Sequence, residues 1–401
     1  MGEKIALGFH TCVDFELVWN PRTIEDMIRE YHVLDHEIRT DMEIDSERTL
    51  LLACLGFMKE GTGGELVPDD PQICFDFANR FQYSITIGGT ATRAAIAISK
   101  IGYESAIEMC CFNRYFRELL PKEIHYFSSV GEGHEDVYPH VDLQYQAAEH
   151  IKANDIDFTT PRANRVLFSR DIDSLNMKIS QDFSPMIQEA EVFLLSCFSE
   201  VLDFDILKDR MVRTKNLLQT LPTGAIVVME DGCYVKKDFR YYVHQTLRGI
   251  VDVLSMNEDE LQQYVGHKID IMEPDEVLKA VESVYRQAGF PLLIVHSASW
   301  ALAYGREARS MRNALEGGIA MASTRFRFGD HFGAKEYQEI KESPDEEKGL
   351  RFCAAIEHEA GESICCLPSK ELGYVTHPTT VGLGDFFAGG LLPELLEDRR
   401  I

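Results

Sequence analysis

Short apolar runs alternate with helix-like patterns along much of the chain. The apolar runs predict strands at residues 5–13, 85–89, 192–195, 225–229, 251–254 and 292–296. Apolar positions at helical spacing predict helices at residues 90–101, 204–221, 258–265 and 274–289. Apolar strands without polar alternation, separated by helices, are typical of a parallel sheet that is covered on both faces. The pattern therefore predicts an α/β sandwich.

Two segments interrupt this alternation. Residues 15–83 and 113–184 have weaker periodicity, more charge and several turn signals, and they contain strand-like stretches at 123–127 and 165–168. With 401 residues, the chain exceeds the size at which one hydrophobic core usually stops growing. We predict a large core formed by residues 1–14, 84–112 and 185–401, and a smaller lid formed by the insertions 15–83 and 113–184.

The composition is that of a globular protein with a strong negative charge. Hydrophobic residues make up 45% of the chain, charged residues 26%, and the formal net charge is −26. Nucleic-acid binders need Lys and Arg facing the phosphates, and an anionic membrane repels such a chain. The charge argues against both kinds of partner. A site for an anionic ligand therefore has to concentrate cations and backbone amides locally.

The cysteines and the first residues bear on the cellular compartment. Ten cysteines occur without a CxxC pair and without the His–Cys spacing of a zinc site. Residues 1–4 contain no secretory leader, and no apolar run reaches the ~18 residues of a membrane helix. We expect a cytoplasmic protein with reduced, buried thiols. The oligomeric state stays open.

A glycine-rich turn near the C-terminus carries the most chemistry. Gly382, Leu383, Gly384 and Asp385 precede an apolar stretch, 386–392, that predicts a buried helix. A helix N-terminus has unpaired N–H groups that stabilise anions, and glycines let the main chain approach a phosphate closely. Asp385 is then placed to accept a proton from an alcohol. The alternative is that Asp385 only caps the helix.

The longer segment 377–385, from His377 to Asp385, resembles the GxGD signature of the ribokinase superfamily, and more narrowly the ADP-dependent glucokinase and phosphofructokinase family. The resemblance implies a ribokinase-like three-layer sandwich, with a mainly parallel central sheet and a smaller α+β lid. It implies Asp385 as catalytic base, the Gly382 and Gly384 amides as phosphate ligands, and Val381 and Leu383 beside the nucleotide.

Two further patches resemble the substrate side of that family. Asp14 corresponds to an Asp at the end of the first core strand that hydrogen-bonds sugar hydroxyls, and Gly88 and Gly89 correspond to a glycine pair at which substrate approaches the backbone. Taken alone, Asp14 and the glycine pair are more typical of turns. Thr90 stands where the family usually has Asn or Gln, which leaves the acceptor open.

Four residues are candidates around the phosphates and a metal. Asn257 and Glu260 resemble the family's NxxE motif, in which Glu organises Mg²⁺, and their spacing is also that of a helix capping box. Glu230 resembles the Glu of an HxE motif whose His is replaced by Val228. His296, after an apolar strand, is a candidate nucleotide contact or else a packing residue.

The resemblance implies ADP as donor, with AMP as product, and fructose 6-phosphate or glucose as leading acceptors. The wider superfamily motif alone equally allows ATP, and a non-catalytic sugar- or nucleotide-binding protein is the other alternative. No Walker-type Gly-x-x-x-x-Gly-Lys occurs, and no GxGxxG follows the first predicted strand, which disfavours a P-loop enzyme and a dinucleotide-dependent dehydrogenase.

Overall fold

Two β-sheets organise the fold in the computed structural model, which describes residues 3–196, 198–376 and 378–399. His377, the first residue of the GxGD-like segment, lies outside the described residues. The strands are β1 (Ile5–Gly8), β2 (Cys12–Leu17), β3 (Gly64–Leu66), β4 (Tyr83–Gly88), β5 (Ser105–Met109), β6 (Ile124–Ser128), β7 (Pro139–Tyr145), β8 (His150–Ala153), β9 (Ile156–Thr159), β10 (Asn164–Phe168), β11 (Val192–Ser196), β12 (Ile226–Glu230), β13 (Val253–Asn257), β14 (Leu292–His296), β15 (Trp300–Gly305) and β16 (Ile364–Pro368).

The helices cover both faces of the larger sheet and one side of the smaller. They are α1 (Pro21–Glu30), α2 (Glu47–Glu60), α3 (Pro71–Ala78), α4 (Thr90–Lys100), α5 (Arg114–Leu119), α6 (Ile172–Asn176), α7 (Ser184–Ile187), α8 (Phe204–Leu218), α9 (Lys237–Leu247), α10 (Glu258–Val265), α11 (Pro274–Ala288), α12 (Arg312–Phe328), α13 (Ala334–Lys341), α14 (Glu347–Ala360) and α15 (Leu383–Asp398). None of the helices in the described part of the chain is long and apolar enough to cross a membrane.

The larger sheet has nine strands in the order β16-β15-β14-β13-β12-β11-β1-β5-β6, and all neighbours are parallel except at β15. Alternate residues of each strand point to opposite faces: Val192 and Leu194 of β11 join one apolar cluster, and Phe193 and Leu195 join another. Helices α4, α12 and α15 cover the first face, and α8, α9, α11 and α14 cover the second. The predicted α/β sandwich with a mainly parallel sheet is confirmed.

The smaller sheet has five strands in the order β3-β10-β7-β2-β4, and a separate hairpin is formed by β8 and β9. Helix α2 packs near β10, α3 near β7 and α1 on the hairpin. Phe15 of β2 and Leu143 of β7 belong to the same apolar cluster as Leu7 and Leu194 of the larger sheet. The chain therefore has one continuous core on the side where the two sheets meet.

Three strands differ from the expected division. The apolar run 5–13 is interrupted after Gly8, so that β1 lies in the larger sheet and β2 in the smaller; β4, expected in the core, also lies in the smaller sheet. Strand β6, expected in the lid, forms the edge of the larger sheet. Residues 5–8 and 12–13 are buried on both sides of the break, so that the run does not show the change of sheet. The edge strands β4 and β6 are partly exposed, which weakens their patterns. The rest of the division stays a prediction.

Candidate active site

A cavity of about 810 Å³ lies between the two sheets. The smaller sheet contributes residues such as Leu66, Asp142 and Leu167, and the larger sheet contributes the carboxyl ends of β12, β13 and β14. Eleven of the twelve predicted site residues line it: Asp14, Gly89, Glu230, Asn257, Glu260, His296, Val381, Gly382, Leu383, Gly384 and Asp385. Ligands of parallel α/β sheets bind at this edge.

The GLGD turn forms the beginning of helix α15. Gly382 is the N-cap residue, with a left-handed φ of 71°, and Asp385 lies in the first helical turn. The helix begins at Leu383, three residues before the predicted apolar stretch, and its N-terminal amides face the cavity that Gly382, Leu383 and Gly384 line. Asp385 is therefore not the capping residue, and its carboxylate is available for another task.

Arg93 lies between the two acidic residues that the sequence singles out. Its Nη2 donates to Oδ2 of Asp14 at 2.5 Å, and its Nε lies 3.9 Å from Oδ2 of Asp385. A third carboxylate, Glu16, lies 3.7 Å from Nη2. The side chain of Arg93 is 5% exposed, whereas that of Asp385 is 22% exposed and borders the cavity. One buried cation therefore fixes both carboxylates at the cavity wall.

The charges around Asp385 shift its pKa in opposite directions. Burial raises the pKa of Asp385 above its usual value, and so do Glu230 and Asp14, whereas Arg93 and a hydrogen bond from Thr90 lower it. Burial lowers the pKa of Arg93, but the carboxylates Asp14, Asp385 and Glu16 more than offset this, so that its pKa lies above the ordinary value. Arg93 stays charged and opposes the protonation of Asp385.

Glycine is required at the three positions where the backbone meets these side chains. A Cβ at Gly88 would lie 2.0 Å from Oδ2 of Asp14, and one at Gly89 would lie 2.6 Å from the carbonyl oxygen of His10. A Cβ at Gly382 would lie 2.6 Å from Nη1 of Arg93. Gly88 does not line the cavity; it lies behind Asp14 and leaves room for that carboxylate. Asp14 itself lies within β2, not at the end of β1 as expected.

Glu230 and His296 form a second pair at the ends of β12 and β14. Nε2 of His296 lies 3.1 Å from Oε1 of Glu230, and its ring stacks on Phe387 of α15 with centroids 4.5 Å apart. Oε2 of Glu230 is buried and has no hydrogen-bond partner. Val228 is fully buried in the core, so the imidazole beside Glu230 comes from His296 and not from its own strand.

Asn257 and Glu260 form the capping box of α10 that their spacing predicts. Oδ1 of Asn257 accepts from the N–H groups of Asp259 and Glu260, each at 2.9 Å, and Oε2 of Glu260 accepts from the Asn257 N–H at 2.8 Å. Burial, and next the negative charge of Glu230, raise the pKa of Glu260 well above its usual value. The negative charges of Glu230 and Glu260 therefore repel each other.

Comparisons with known proteins identify the family. The conserved region of ADP-specific phosphofructokinases and glucokinases matches residues 3–392. The chain belongs to this family. A phosphofructokinase from Pyrococcus horikoshii with AMP is 16% identical, with a TM-score of 0.77 over 100% of this chain and 99% of that one. An ADP-dependent kinase in complex with fructose 6-phosphate and ADPβS is 14% identical, with a TM-score of 0.75 over 100% and 96%. No curated protein matches the chain in a direct sequence comparison.

The structure thus confirms the resemblance on which the sequence analysis relied, and the likeness to these kinases confirms the ribokinase-like fold. It also adds residues to the family site that the sequence analysis did not assign. The sequence analysis assigns no role to Arg93, although a cation in the Ala-rich pattern of α4 is the signal that marks it. Arg165, Arg170 and His140 also line the cavity. Arg170 lies in the second insertion, where a cation that faces a sugar phosphate is useful, whereas no sequence pattern marks Arg165 or His140.

Proposed function

We propose that this member of the family transfers the terminal phosphoryl group of ADP to a hydroxyl of a hexose phosphate, giving AMP. The observation that carries the proposal is the placement of Asp385 at the N-terminus of α15, with Asp14 held across the same cavity by Arg93. Phosphoryl transfer to an alcohol requires a group that binds the acceptor, a base and a site that binds the phosphate anion. Asp14, Asp385 and the N-terminus of α15 are suited to these three roles.

On the acceptor side, Asp14 binds two hydroxyl groups of the sugar, since a carboxylate accepts several donors. Its position is fixed by Arg93, and Gly88 leaves room for its carboxylate. Gly89 lines the cavity beside it. Asp385 takes the proton of the attacking hydroxyl. Arg93 and Thr90 keep enough of Asp385 ionised for this, while burial keeps its proton affinity high.

On the donor side, the amides of residues 382–385 hold the transferred phosphoryl group, with Val381 and Leu383 beside the nucleotide. The dipole of α15 adds positive potential there. His296, which stacks on Phe387 and contacts Glu230, positions that carboxylate. Asn257 holds the start of α10, and with it Glu260, in place. The overall charge of −26 is thus opposed locally by amides and Arg93.

The acidic edge of the cavity fits Mg²⁺. Mg²⁺ prefers oxygen ligands and usually keeps several waters, so that one or two carboxylates suffice. The buried Oε2 of Glu230, which has no hydrogen-bond partner among the described residues, is an oxygen ligand free to bind an ion, and Glu260 is a second buried carboxylate of the same cavity. We assign Glu260 and Glu230 to hold the ion directly or through water. When bound, Mg²⁺ neutralises charge on the phosphates.

The cavity favours a phosphorylated acceptor such as fructose 6-phosphate over glucose. Arg165 and Arg170 line its lid side, both half-buried, and within the described residues neither guanidinium forms a salt bridge. Arg binds phosphate bidentately, so that unpaired guanidinium groups are suited to the phosphate of the acceptor. Arg165→Ala and Arg170→Ala should each raise KM for fructose 6-phosphate and leave KM for glucose within about two-fold.

We propose that the two sheets enclose the cavity as a core and a lid. The core consists of residues 1–14, 84–112 and 185–401, and the lid consists of residues 15–83 and 113–184. The exceptions are β2 and β4, which join the smaller sheet, and β6, which joins the larger sheet. Closure excludes water and so limits hydrolysis of the nucleotide. Small-angle scattering with ADP and fructose 6-phosphate should show compaction. We place the enzyme in the cytoplasm, where its nine described free cysteines stay reduced and ADP is at hand.

The deciding experiment measures AMP or ADP formation with Mg²⁺ and each pairing of ADP or ATP with fructose 6-phosphate, glucose and other sugars. Acceptor-dependent AMP formation from ADP is expected. Asp385→Asn should lower kcat by about 10²- to 10⁴-fold and keep the fold. Asp205→Asn changes another first-turn aspartate, exposed on α8, and should have no effect. Turnover with ATP alone contradicts the donor, and no turnover with any pair contradicts the kinase.

A further inference from the structure

A compact group of nitrogen and sulfur ligands lies in the cavity wall, away from the carboxylates assigned to Mg²⁺. His10, Cys12 and His140 are all buried, and each offers a ligand atom within 4.8 Å of the others. His10 lies between β1 and β2, Cys12 begins β2, and His140 lies on the neighbouring strand β7, opposite Asp14. We propose that these three residues bind a borderline-soft divalent cation of the Zn²⁺ class.

His10 is the least satisfied of the three side chains. It is 7% exposed, and neither ring nitrogen has a hydrogen-bond partner in the part of the chain that the structure describes. A buried polar group without a partner is costly, and a neutral imidazole with a free lone pair is ready to bind a metal.

His140 has the support that metal-binding histidines usually have. Its Nε2 lies 3.1 Å from Oδ2 of Asp171, so that a metal binds at Nδ1, and any proton on Nδ1 is then lost to solvent. Asp171 is itself fixed, because it accepts from the Ser174 hydroxyl at 2.6 Å and from the Asp173 N–H at 2.9 Å. A carboxylate that holds the second nitrogen of a ligating imidazole orients the ring and raises its basicity.

Cys12 supplies the ligand that selects the metal. Its thiol donates to Oδ1 of Asp14 at 3.2 Å, and burial, followed by Asp14, raises its pKa well above the usual value. A bound dication compensates the thiolate charge, and the displaced thiol proton leaves to solvent. Two imidazoles and one thiolate suit Zn²⁺ and not Mg²⁺. Three protein ligands leave a fourth position, which opens to the cavity.

Sequence spacing did not reveal this site, because His140 is far from the other two ligands along the chain. The parallel pairing of β2 with β7 brings them together. Among the described residues, no other three His, Cys, Asp or Glu side chains have ligand atoms this close. The site is therefore distinct from Glu230 and Glu260, whose oxygen ligands match Mg²⁺.

Cobalt binding tests the proposal without any turnover, so that its outcome is independent of the proposed kinase activity. The whole chain is freed of metal with a chelator and titrated with Co²⁺, which gives an intense near-ultraviolet band when a thiolate binds it and strong visible bands in a tetrahedral site. We expect one Co²⁺ per chain with both bands, and loss of both on addition of Zn²⁺.

The variants identify the ligands. Cys12→Ser should abolish the thiolate band, and His10→Gln and Asp171→Asn should each weaken Co²⁺ binding by about 10- to 100-fold. Cys233→Ser removes an exposed cysteine of the same cavity and should change nothing. Circular dichroism shows whether each variant folds. If Cys12→Ser does not fold, the affinity of His10→Gln for Co²⁺ tests the site. A parent without the thiolate band, a band that persists in Cys12→Ser, or unchanged affinity in His10→Gln overturns the site.

Discussion

Nη2 of Arg93 and Oδ2 of Asp14 are 2.5 Å apart, and both side chains are almost completely buried. Arg93 belongs to helix α4 on the larger sheet, and Asp14 belongs to strand β2 of the smaller sheet. The pair therefore connects the two sheets at the cavity. The same guanidinium also faces Asp385. The position of Asp14, which binds the acceptor, and the charge of Asp385, the base, therefore both depend on Arg93.

Removal of the cation should be strongly destabilising. Arg93→Met leaves Asp14 and Asp385 buried without compensation, and breaking a buried pair in this way costs about 3–5 kcal/mol. Urea unfolding measures the free energy of unfolding. Arg286→Met removes an arginine of α11 that is 73% exposed, and should change stability by no more than about 0.5 kcal/mol.

The double variant Arg93→Met/Asp14→Asn separates charge from packing. Loss of the Asp14 charge removes part of the uncompensated burial, so we expect the double variant to be more stable than Arg93→Met alone. If Arg93→Met were as stable as the parent, the guanidinium would not be balancing these carboxylates.

The hydroxyl of Thr90 should set the acidic limb of the pH–rate profile. Its hydrogen bond lowers the pKa of Asp385, so Thr90→Val raises that pKa. Asp385 accepts a proton only when ionised, and kcat of the variant should therefore begin to fall at a higher pH, with the plateau at high pH unchanged. Thr92→Val is the matched control, because the buried Thr92 hydroxyl on the same helix has no partner. An unshifted limb in Thr90→Val would separate Asp385 from the proton transfer.

Patterns along the chain predict β1 and β11 to β14 of the larger sheet, because buried parallel strands are continuous apolar runs, but they do not predict β5, β15 or β16. Strands β11 to β14 and helices α8, α10 and α11 lie within a few residues of their predicted positions. Local patterns do not say which sheet a strand joins, and β2, β4 and β6 are therefore misplaced. The capping box at Asn257 is predicted because all its hydrogen bonds lie within four consecutive residues.

The site needed both the family resemblance and the fold. Asp14, Glu230 and Asp385 come from distant parts of the chain, and only the sheet order brings them to one cavity. The sequence assigns no role to Arg93, because most arginines are exposed and its burial depends on three carboxylates that surround it only in space. Contacts of this kind leave no periodic signal.

Gly382 should be intolerant of any side chain. Gly382→Ala forces a left-handed φ of 71° on alanine, and its Cβ would lie 2.6 Å from Nη1 of Arg93. We expect kcat to fall by about 10²-fold, because displacement of Arg93 and of the turn moves Asp385. Gly249→Ala has a φ of 78° with no atom within 4 Å of the new Cβ, and should show only the backbone cost of about 1–2 kcal/mol. Equal kcat in parent and Gly382→Ala would contradict this contact.

The Glu260 carboxylate should destabilise the protein without Mg²⁺ and stabilise it when Mg²⁺ is bound. Glu260→Gln keeps an oxygen that accepts from the Asn257 N–H, but it removes a carboxylate whose pKa burial and Glu230 raise. Without Mg²⁺, the ionised carboxylate of the parent is destabilising above its unfolded pKa, so the variant should melt at a higher temperature.

With excess Mg²⁺ and ADP the order should reverse, because only the parent gains the carboxylate–metal interaction. Glu336→Gln changes a capping-box glutamate on α13, which accepts from the Gly333 N–H at 2.9 Å away from the cavity, and its melting temperature should not depend on Mg²⁺ differently from that of the parent. The same Mg²⁺-dependent rise in Glu260→Gln as in the parent would leave Glu260 as a capping residue alone and assign the ion to Glu230.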